Sequence, residues 1–135
     1  MTGVAKRAAK TDAARKLAIA AADIARDDQC EDVVVLDLRD VSPVTDYFVI
    51  CTGTSDRQMR TVAKEIEEYG KSVDQKVWHV AGRESAEWIL LDFVDVVVHV
   101  FDQEHRRYYD LELIWGGAPR VPRRRRKTAR KRPES

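Results

Sequence analysis

Apolar residues recur along this chain with two spacings, one typical of helices and one typical of buried strands. A helix is predicted from about Asp12 to Arg26. Its buried face carries Leu17, Ala20, Ala21 and Ile24. Strands are predicted at residues 32–38 and 47–51. The second strand is almost continuously apolar, a pattern typical of a central strand that is buried on both faces.

A glycine turn and an amphipathic helix follow the second strand. Ser55 and Gln58 have the spacing of a capping box, so the helix is predicted to begin at Asp56. It is predicted to end near Tyr69, with Gly70 closing it in a left-handed conformation. Its buried stripe is formed by Met59, Val62, Ala63, Ile66 and Tyr69.

The second half of the chain has the pattern of a small sheet. A short strand is predicted at residues 77–80, and residues 88–101 are too long an apolar run for one strand. A hairpin with its turn at Phe93-Val94 explains that run, and a short helix is predicted at residues 103–115. The element order predicts an α/β fold, a two-layer or three-layer sandwich with a mixed five-stranded sheet.

Charge is distributed unevenly over the 135 residues, although the formal net charge is only +1. Nine of the 24 Lys and Arg residues lie in residues 120–135, beside a single acidic residue. The remaining 15 basic and 22 acidic residues give residues 1–119 a net charge of about −7. We therefore predict a flexible N-terminal arm (1–11), one acidic domain (12–116) and a disordered basic tail (117–135).

Targeting signals and cysteine content indicate the cellular compartment in which the protein is expected. The first residues contain no apolar segment of a secretory signal, and no run is long enough to cross a bilayer, so no membrane association is expected. The two cysteines, Cys30 and Cys51, are expected to be reduced thiols of a cytoplasmic protein.

The turn Gly53-Thr54-Ser55 is the main candidate for chemistry, since a glycine turn before a helix can bind phosphate. Such a turn occurs in nucleotidyltransferases, which also need paired carboxylates for magnesium. No such pair follows Ser55, and the three histidines lack metal-ligand spacing. We expect no enzyme, no metal and no cofactor. Two alternatives stay open, a nucleotidyltransferase-like enzyme and a general RNA-binding protein that acts through the basic tail.

Four ordered motifs together resemble the ribosomal silencing factor family, also called Iojap-like proteins. They are Thr45–Ser55, Ser85–Asp92, Asp95–Phe101 and Arg106–Glu112, the last followed by Trp115. The resemblance covers about residues 11–115. The family often has Gly-Asp where this chain has Val94-Asp95, and a β-branched residue is costly at positive φ.

The resemblance implies a fold similar to nucleotidyltransferases without their catalytic carboxylates. It also implies a translation repressor that binds the large ribosomal subunit through protein uL14 and sterically blocks joining of the small subunit when nutrients are short. The basic tail would add weak rRNA contacts, and the oligomeric state of the free protein, a homodimer included, stays open. The docking surface that we predict consists of Trp78, Trp88, Asp92, Asp95, His99, Arg107, Tyr109 and Trp115.

Overall fold

A computed structural model describes residues 3–108 and 117–122, which form an α/β fold as predicted. The sheet and its helices alternate along the chain as the apolar pattern indicates. In order, the elements are α1 (Gly3–Asp27), β1 (Glu31–Asp37), β2 (Tyr47–Thr52), α2 (Asp56–Ser72), β3 (His79–Ala81), β4 (Trp88–Asp92), β5 (Val96–Phe101) and α3 (Gln103–Tyr108).

The five strands form one mixed sheet in the order β1-β2-β5-β4-β3. Strands β2 and β5 pair in parallel, with Tyr47 opposite Val96 and Thr52 opposite Phe101. The other three pairings are antiparallel. The interior position of β2 confirms the prediction from its continuous apolar run.

The main core lies between the sheet and the two long helices. Because side chains alternate along a strand, Val49 and Cys51 of β2 and Val98 and Val100 of β5 point to this side and are fully buried. They pack with residues of α1 and α2 in one apolar cluster. Each such aliphatic side chain contributes about 1.5–3 kcal/mol when it is buried.

Helix α1 begins at Gly3, so residues 3–11, predicted as an arm, continue this helix. Its sequence explains the extension, because it is rich in alanine, the strongest helix former, and has no proline. The predicted face is confirmed for Leu17 and Ala21, which are buried. Small residues such as Ala18 and Ala25 let the helix lie close to the sheet.

Helix α2 is capped as predicted but ends differently. Ser55 Oγ accepts the N–H of Gln58 at 3.1 Å, and Gln58 Oε1 accepts the N–H of Thr54 at 2.5 Å. The helix runs past Gly70, so the prediction that this glycine closes it was wrong. A Cβ at Gly70 would lie 2.5 Å from the Gln75 carbonyl oxygen. Close packing, not helix termination, requires glycine there.

The predicted hairpin between β4 and β5 is confirmed, and it turns through a strained residue. Val94 adopts φ 75°, a left-handed conformation that is costly for a β-branched side chain. Asp92 Oδ1 accepts the N–H of Val94 at 2.7 Å, and the Phe93 N–H donates to the Val96 carbonyl at 2.8 Å. These two bonds stabilise the turn.

Residues 117–122 pack along β1, although we predicted a disordered tail from residue 117. The Asp37 N–H donates to the Pro119 carbonyl and the Val121 N–H to the Val35 carbonyl, each at 2.8 Å. Ala118 and Val121 are buried. The prediction was wrong because a few apolar residues and main-chain bonds suffice to add a segment to a sheet edge, without any periodic pattern.

A pair of truncations tests this packing. A chain that ends at Pro122 should melt like the full-length protein, because no described core residue lies beyond Val121. A chain that ends at Gly116 should lose about 2 kcal/mol, mainly because the burial of Val121 is lost, and should melt several degrees lower. Thermal unfolding followed by circular dichroism measures both. Equal melting temperatures for the two truncations would show that the segment adds nothing to stability.

Candidate functional site

The face of the sheet opposite α1 and α2, here called the open face, carries side chains ordered by strand register. Phe48 of β2 lies opposite Val97 of β5, which lies opposite Asp92 of β4. Further along, Ile50 lies opposite His99. Near β1 this face is covered, because Ala118 packs with residues of β1, β2 and β5. The side towards β4 and β3 has no covering helix among the described residues.

A groove of about 720 Å³ occupies that uncovered part of the open face. It is lined by Ser42, Pro43, Val44, Thr45, Phe48, Trp78, Leu90, Asp92, Val94, Val97 and His99. Val44, Trp78 and Val94 are exposed by 78%, 72% and 51%, although they are large and apolar. Exposed apolar groups that cluster around one groove make it the candidate docking surface.

His99 forms part of the groove wall and is only 4% exposed. The indole N–H of Trp88 donates to its Nδ1 at 3.1 Å, so the ring proton of neutral His99 sits on Nε2. Burial lowers the pKa of His99 to about 4, and the ring is therefore neutral at pH 7. Its Nε2 has no hydrogen-bond partner among the described residues.

Aromatic rings hold His99 in place from three sides. The Phe48 ring meets it edge-on with the centroids 4.5 Å apart, and the Phe101 ring stacks near it at 6.1 Å. The Trp88 ring centroid lies 5.9 Å from that of His99 and 4.9 Å from that of Phe101. Such aromatic pairs favour fixed geometries, so the base of the groove is a rigid surface.

The two predicted acidic residues lie at the hairpin beside the groove. Asp92 lines the groove and is half-buried, and one of its oxygens holds the Val94 turn. The main-chain carbonyl of Asp95 accepts the N–H groups of Asp46 and Tyr47, at 2.9 and 3.1 Å. Asp95 therefore ties the loop before β2 to the hairpin.

The structure brings together five of the eight predicted docking residues. Trp78, Asp92 and His99 line the groove, Trp88 donates to His99 from the neighbouring strand, and Asp95 lies at the hairpin beside them. Arg107 lies elsewhere, in α3 past the far end of β5. There it lines a separate polar cleft of about 370 Å³ with Glu31, Asp32, Thr52, Gln103 and Arg106. Tyr109 and Trp115 lie outside the described residues.

Several groove residues were not predicted. Val44 and Thr45 belong to the loop before β2, where Ser42-Pro43 indicates only a turn. Phe48 and Leu90 were assigned to strands without a face. Their alternation with fully buried neighbours places them on the open face, but only once the strand register is known.

Three N–H groups at the glycine turn before α2 are already used in hydrogen bonds within the protein. The N–H groups of Thr54 and Gln58 are bonded to the cap side chains, and the Gly53 N–H donates to the Phe101 carbonyl at 2.7 Å. Gln58 Nε2 donates further to the Asp28 carbonyl. The turn therefore connects strand to helix and leaves these amides unavailable to a phosphate.

Two other kinds of site are missing from the described part of the chain. Residues 3–108 and 117–122 contain no group of three or more His, Cys, Asp or Glu side chains that could hold a metal ion. Within the same residues, no helix is long and apolar enough to cross a membrane.

Comparison with known proteins gives a consistent result. The family model described as "Ribosomal silencing factor during starvation" matches residues 11–135. The chain is 44% identical over 104 residues to the ribosomal silencing factor of Bacillus subtilis, covering 77% of this chain and 86% of that protein. It is 28% identical over 93 residues to a Mus musculus protein named for mitochondrial assembly of the ribosomal large subunit, covering 67% of this chain and 41% of that protein.

A solved structure agrees with the fold. The crystal structure of a protein from Chromobacterium violaceum superposes with a TM-score of 0.70 at 34% sequence identity. The match covers 78% of this chain and 85% of that one.

The buried state of His99 predicts how stability depends on pH. The folded protein disfavours the charged form of the His99 ring. The contribution of this ring to the free energy of unfolding is therefore complete above the ordinary pKa of 6.5 and is lost as the pH falls towards 4. The free energy of unfolding should fall by up to roughly 3 kcal/mol over that range from this residue alone. Urea unfolding at pH 7 and pH 4.5, compared between wild type and His99→Phe, isolates the effect. A His99 titration midpoint near 6.5 by NMR would contradict it.

Proposed function

Because the chain belongs to the ribosomal silencing factor family, we propose that it represses translation by occupying the large ribosomal subunit through protein uL14. Bound there, it would prevent the small subunit from joining when nutrients are limiting. The family assignment supports a ribosome-associated regulator of translation. The named docking protein and the block of subunit joining are the parts that the experiments below test.

The observation that carries the proposal is the groove on the open face. Trp78 is 72% exposed beside a rigid aromatic base, and exposed Val44 and Val94 flank it. Interfaces are dominated by a few aromatic anchors surrounded by polar groups, and this surface has that composition. A helix layer covers the other face of the sheet, so the open face is the side that can receive a partner.

The mechanism is steric occupancy and needs no reaction. A folded domain held on the joining face of one subunit excludes the other by volume, so neither nucleophile nor metal is required. The N–H groups of Gly53, Thr54 and Gln58 at the glycine turn are already hydrogen-bonded within the protein, which fits this non-enzymatic role. The protein would act in the cytoplasm, where ribosomal subunits join.

Charge supports a ribosomal protein as the direct partner. Residues 1–119 carry about −7, a sign that complements a basic ribosomal protein and repels RNA phosphate. The basic tail would add weak contacts to neighbouring rRNA. Specific recognition therefore belongs to the folded domain, and the tail supplies attraction that depends on salt.

Replacing Trp78 tests the surface. Because its side chain is mostly exposed, Trp78→Ala should leave the melting temperature unchanged. Loss of an interface anchor of about 2 kcal/mol should weaken binding to isolated large subunits roughly thirtyfold. Sucrose-gradient sedimentation measures both binding and the yield of joined ribosomes. Val73→Ala, an exposed apolar change at the end of α2, is the control and should behave as wild type.

If the folded Trp78→Ala protein still binds large subunits and blocks joining as wild type does, the proposed surface is wrong. Wild-type protein that sediments only at the top of the gradient would instead reject ribosome binding itself. Purified uL14 identifies the partner, since binding to subunits without binding to uL14 would place the contact on another ribosomal component.

The basic tail supports one alternative, a general RNA-binding protein, and a salt series separates the two. Binding through phosphates falls by about one power of salt concentration for each phosphate neutralised. A chain that ends at Pro122 should bind more weakly than full length at low salt, match it at high salt and still block joining. Loss of activity at every salt concentration would make the tail the functional element.

A further inference from the structure

The chain has two cysteines, and the fold brings them together on the helix side of the sheet. Cys30 lies directly before β1, and Cys51 lies near the end of β2. These strands are antiparallel neighbours in which Glu31 lies opposite Thr52. Because side chains alternate between the two faces of a sheet, the residues that precede this pair project together to the other face. Both cysteines accordingly join the main core between the sheet and the long helices.

The two thiols are in contact, and neither is part of a disulfide. The Cys51 S–H donates a hydrogen bond to the sulfur of Cys30. This bond lowers the pKa of Cys30, although burial and the carboxylates of Asp28 and Glu31 oppose the effect. The same bond, together with complete burial, raises the pKa of Cys51 well above its usual range. One thiol of the pair therefore ionises readily, whereas the other keeps its proton.

The two thiols also differ in their access to solvent. Cys51 is fully buried in the core. Cys30 is half-buried in the turn between α1 and β1, where its neighbours Gln29 and Glu31 are exposed. The Cys30 N–H donates to the Ala25 carbonyl at 2.9 Å, which holds this turn against the end of α1. Cys30 is therefore the thiol that a small molecule in solution can reach first.

The backbone around Cys30 allows the two sulfur atoms to approach further. In a regular antiparallel ladder, diagonal neighbours lie about 7–8 Å apart, which is too far for a disulfide. Here the register shifts between Glu31 and Val34, and a bulge of this kind bends the strand away from regular spacing. Thiols that already share a hydrogen bond need to close only a short distance to reach the S–S length of about 2 Å.

We propose that Cys30 and Cys51 form a modification site, a thiol pair that a hydroperoxide oxidises to an intramolecular disulfide. Cysteines that sense peroxide combine a readily ionised, accessible thiol with a second thiol close by, and this pair has both properties. Cys30 is the thiol that reacts with the peroxide, and Cys51 is the thiol that then captures the oxidised sulfur.

The reaction has two steps. The Cys30 thiolate attacks hydrogen peroxide, so that an S–O bond forms, the O–O bond breaks and hydroxide leaves. Cys51 gives its proton to that hydroxide, and its sulfur attacks the Cys30 sulfenic acid. The S–S bond then forms, the S–O bond breaks, and the second hydroxide takes up the proton that Cys30 had released. The two thiols lose two electrons and two protons, and the peroxide becomes two water molecules.

Treatment of the purified, reduced full-length protein with hydrogen peroxide tests the site. Its intact mass should fall by two hydrogen atoms, and peptide mapping without reductant should link the peptides that contain Cys30 and Cys51. Dithiothreitol should restore the original mass and both thiols. Free cysteine in a parallel sample is the control that shows the peroxide to be active.

Two single variants separate the roles of the two thiols. In Cys51→Ala no second thiol can follow the first step, so Cys30 should stop as a sulfenic acid that dimedone traps. In Cys30→Ser the fully buried Cys51 should remain a thiol under the same treatment. Circular dichroism establishes that each variant is folded before peroxide is added.

Alkylation gives a second measurement that needs no peroxide. The rate at which iodoacetamide modifies Cys30 rises with pH as the thiolate forms. Because the bond from Cys51 lowers the pKa of Cys30, the midpoint of this pH profile should lie higher in Cys51→Ala than in wild type. Equal midpoints in the two proteins would overturn the role given to Cys51.

Other results would overturn the proposal as a whole. They are wild-type protein that keeps both thiols while the free cysteine is oxidised, a disulfide that joins two molecules, and a Cys30 sulfinic acid with no link to Cys51. Loss of the Cys51 thiol in Cys30→Ser at the wild-type rate would overturn the order of the two steps. If Cys51→Ala does not fold, wild type and Cys30→Ser decide. No experiment here uses ribosomes, so failure leaves the proposed function untouched.

Discussion

The parallel pairing of β2 with β5 is the constraint on which the rest of this structure depends. Six residue pairs join the two strands, from Tyr47–Val96 to Thr52–Phe101. The pairing continues at both ends, through the Asp95 and Phe101 carbonyls. Parallel strands cannot be joined by a tight turn, so the chain between them must cross over, and it forms α2, β3 and β4 on the way. With both long helices on one side, the other side carries the groove.

The sequence predicted the elements of the fold whose determining residues lie close together along the chain. Local signals were sufficient for β2, the Ser55 cap and the β4–β5 hairpin, because each depends on residues that are close in sequence. The end of α2 was missed because Gly70 is required by contact with Gln75 and Phe93, which no helix pattern reveals. Main-chain pairing of residues 117–122 with β1 likewise leaves no periodic signal.

The predicted docking residues mixed two structural roles. Of the two predicted tryptophans that the structure describes, Trp78 is mostly exposed, whereas Trp88 is half-buried and donates to His99 of the neighbouring strand. Arg107 belongs to a matching motif but lies past the opposite end of β5. The sequence motifs identify residues that belong to one region, but they do not tell which side chains are exposed and which support them. That distinction requires the strand order and the face on which each side chain lies.

The position of residues 117–122 along β1 has a consequence for synthesis. An unpaired strand edge is a template for pairing with another chain. Because a protein is made from its N-terminus, β1, its neighbour β2 and the next strand β5 exist before the segment that covers the β1 edge. During that interval the nascent domain exposes the main-chain groups of Val35 and Asp37. A folding chain of this kind is most open to mispairing on crowded polysomes just before its last sheet contact forms.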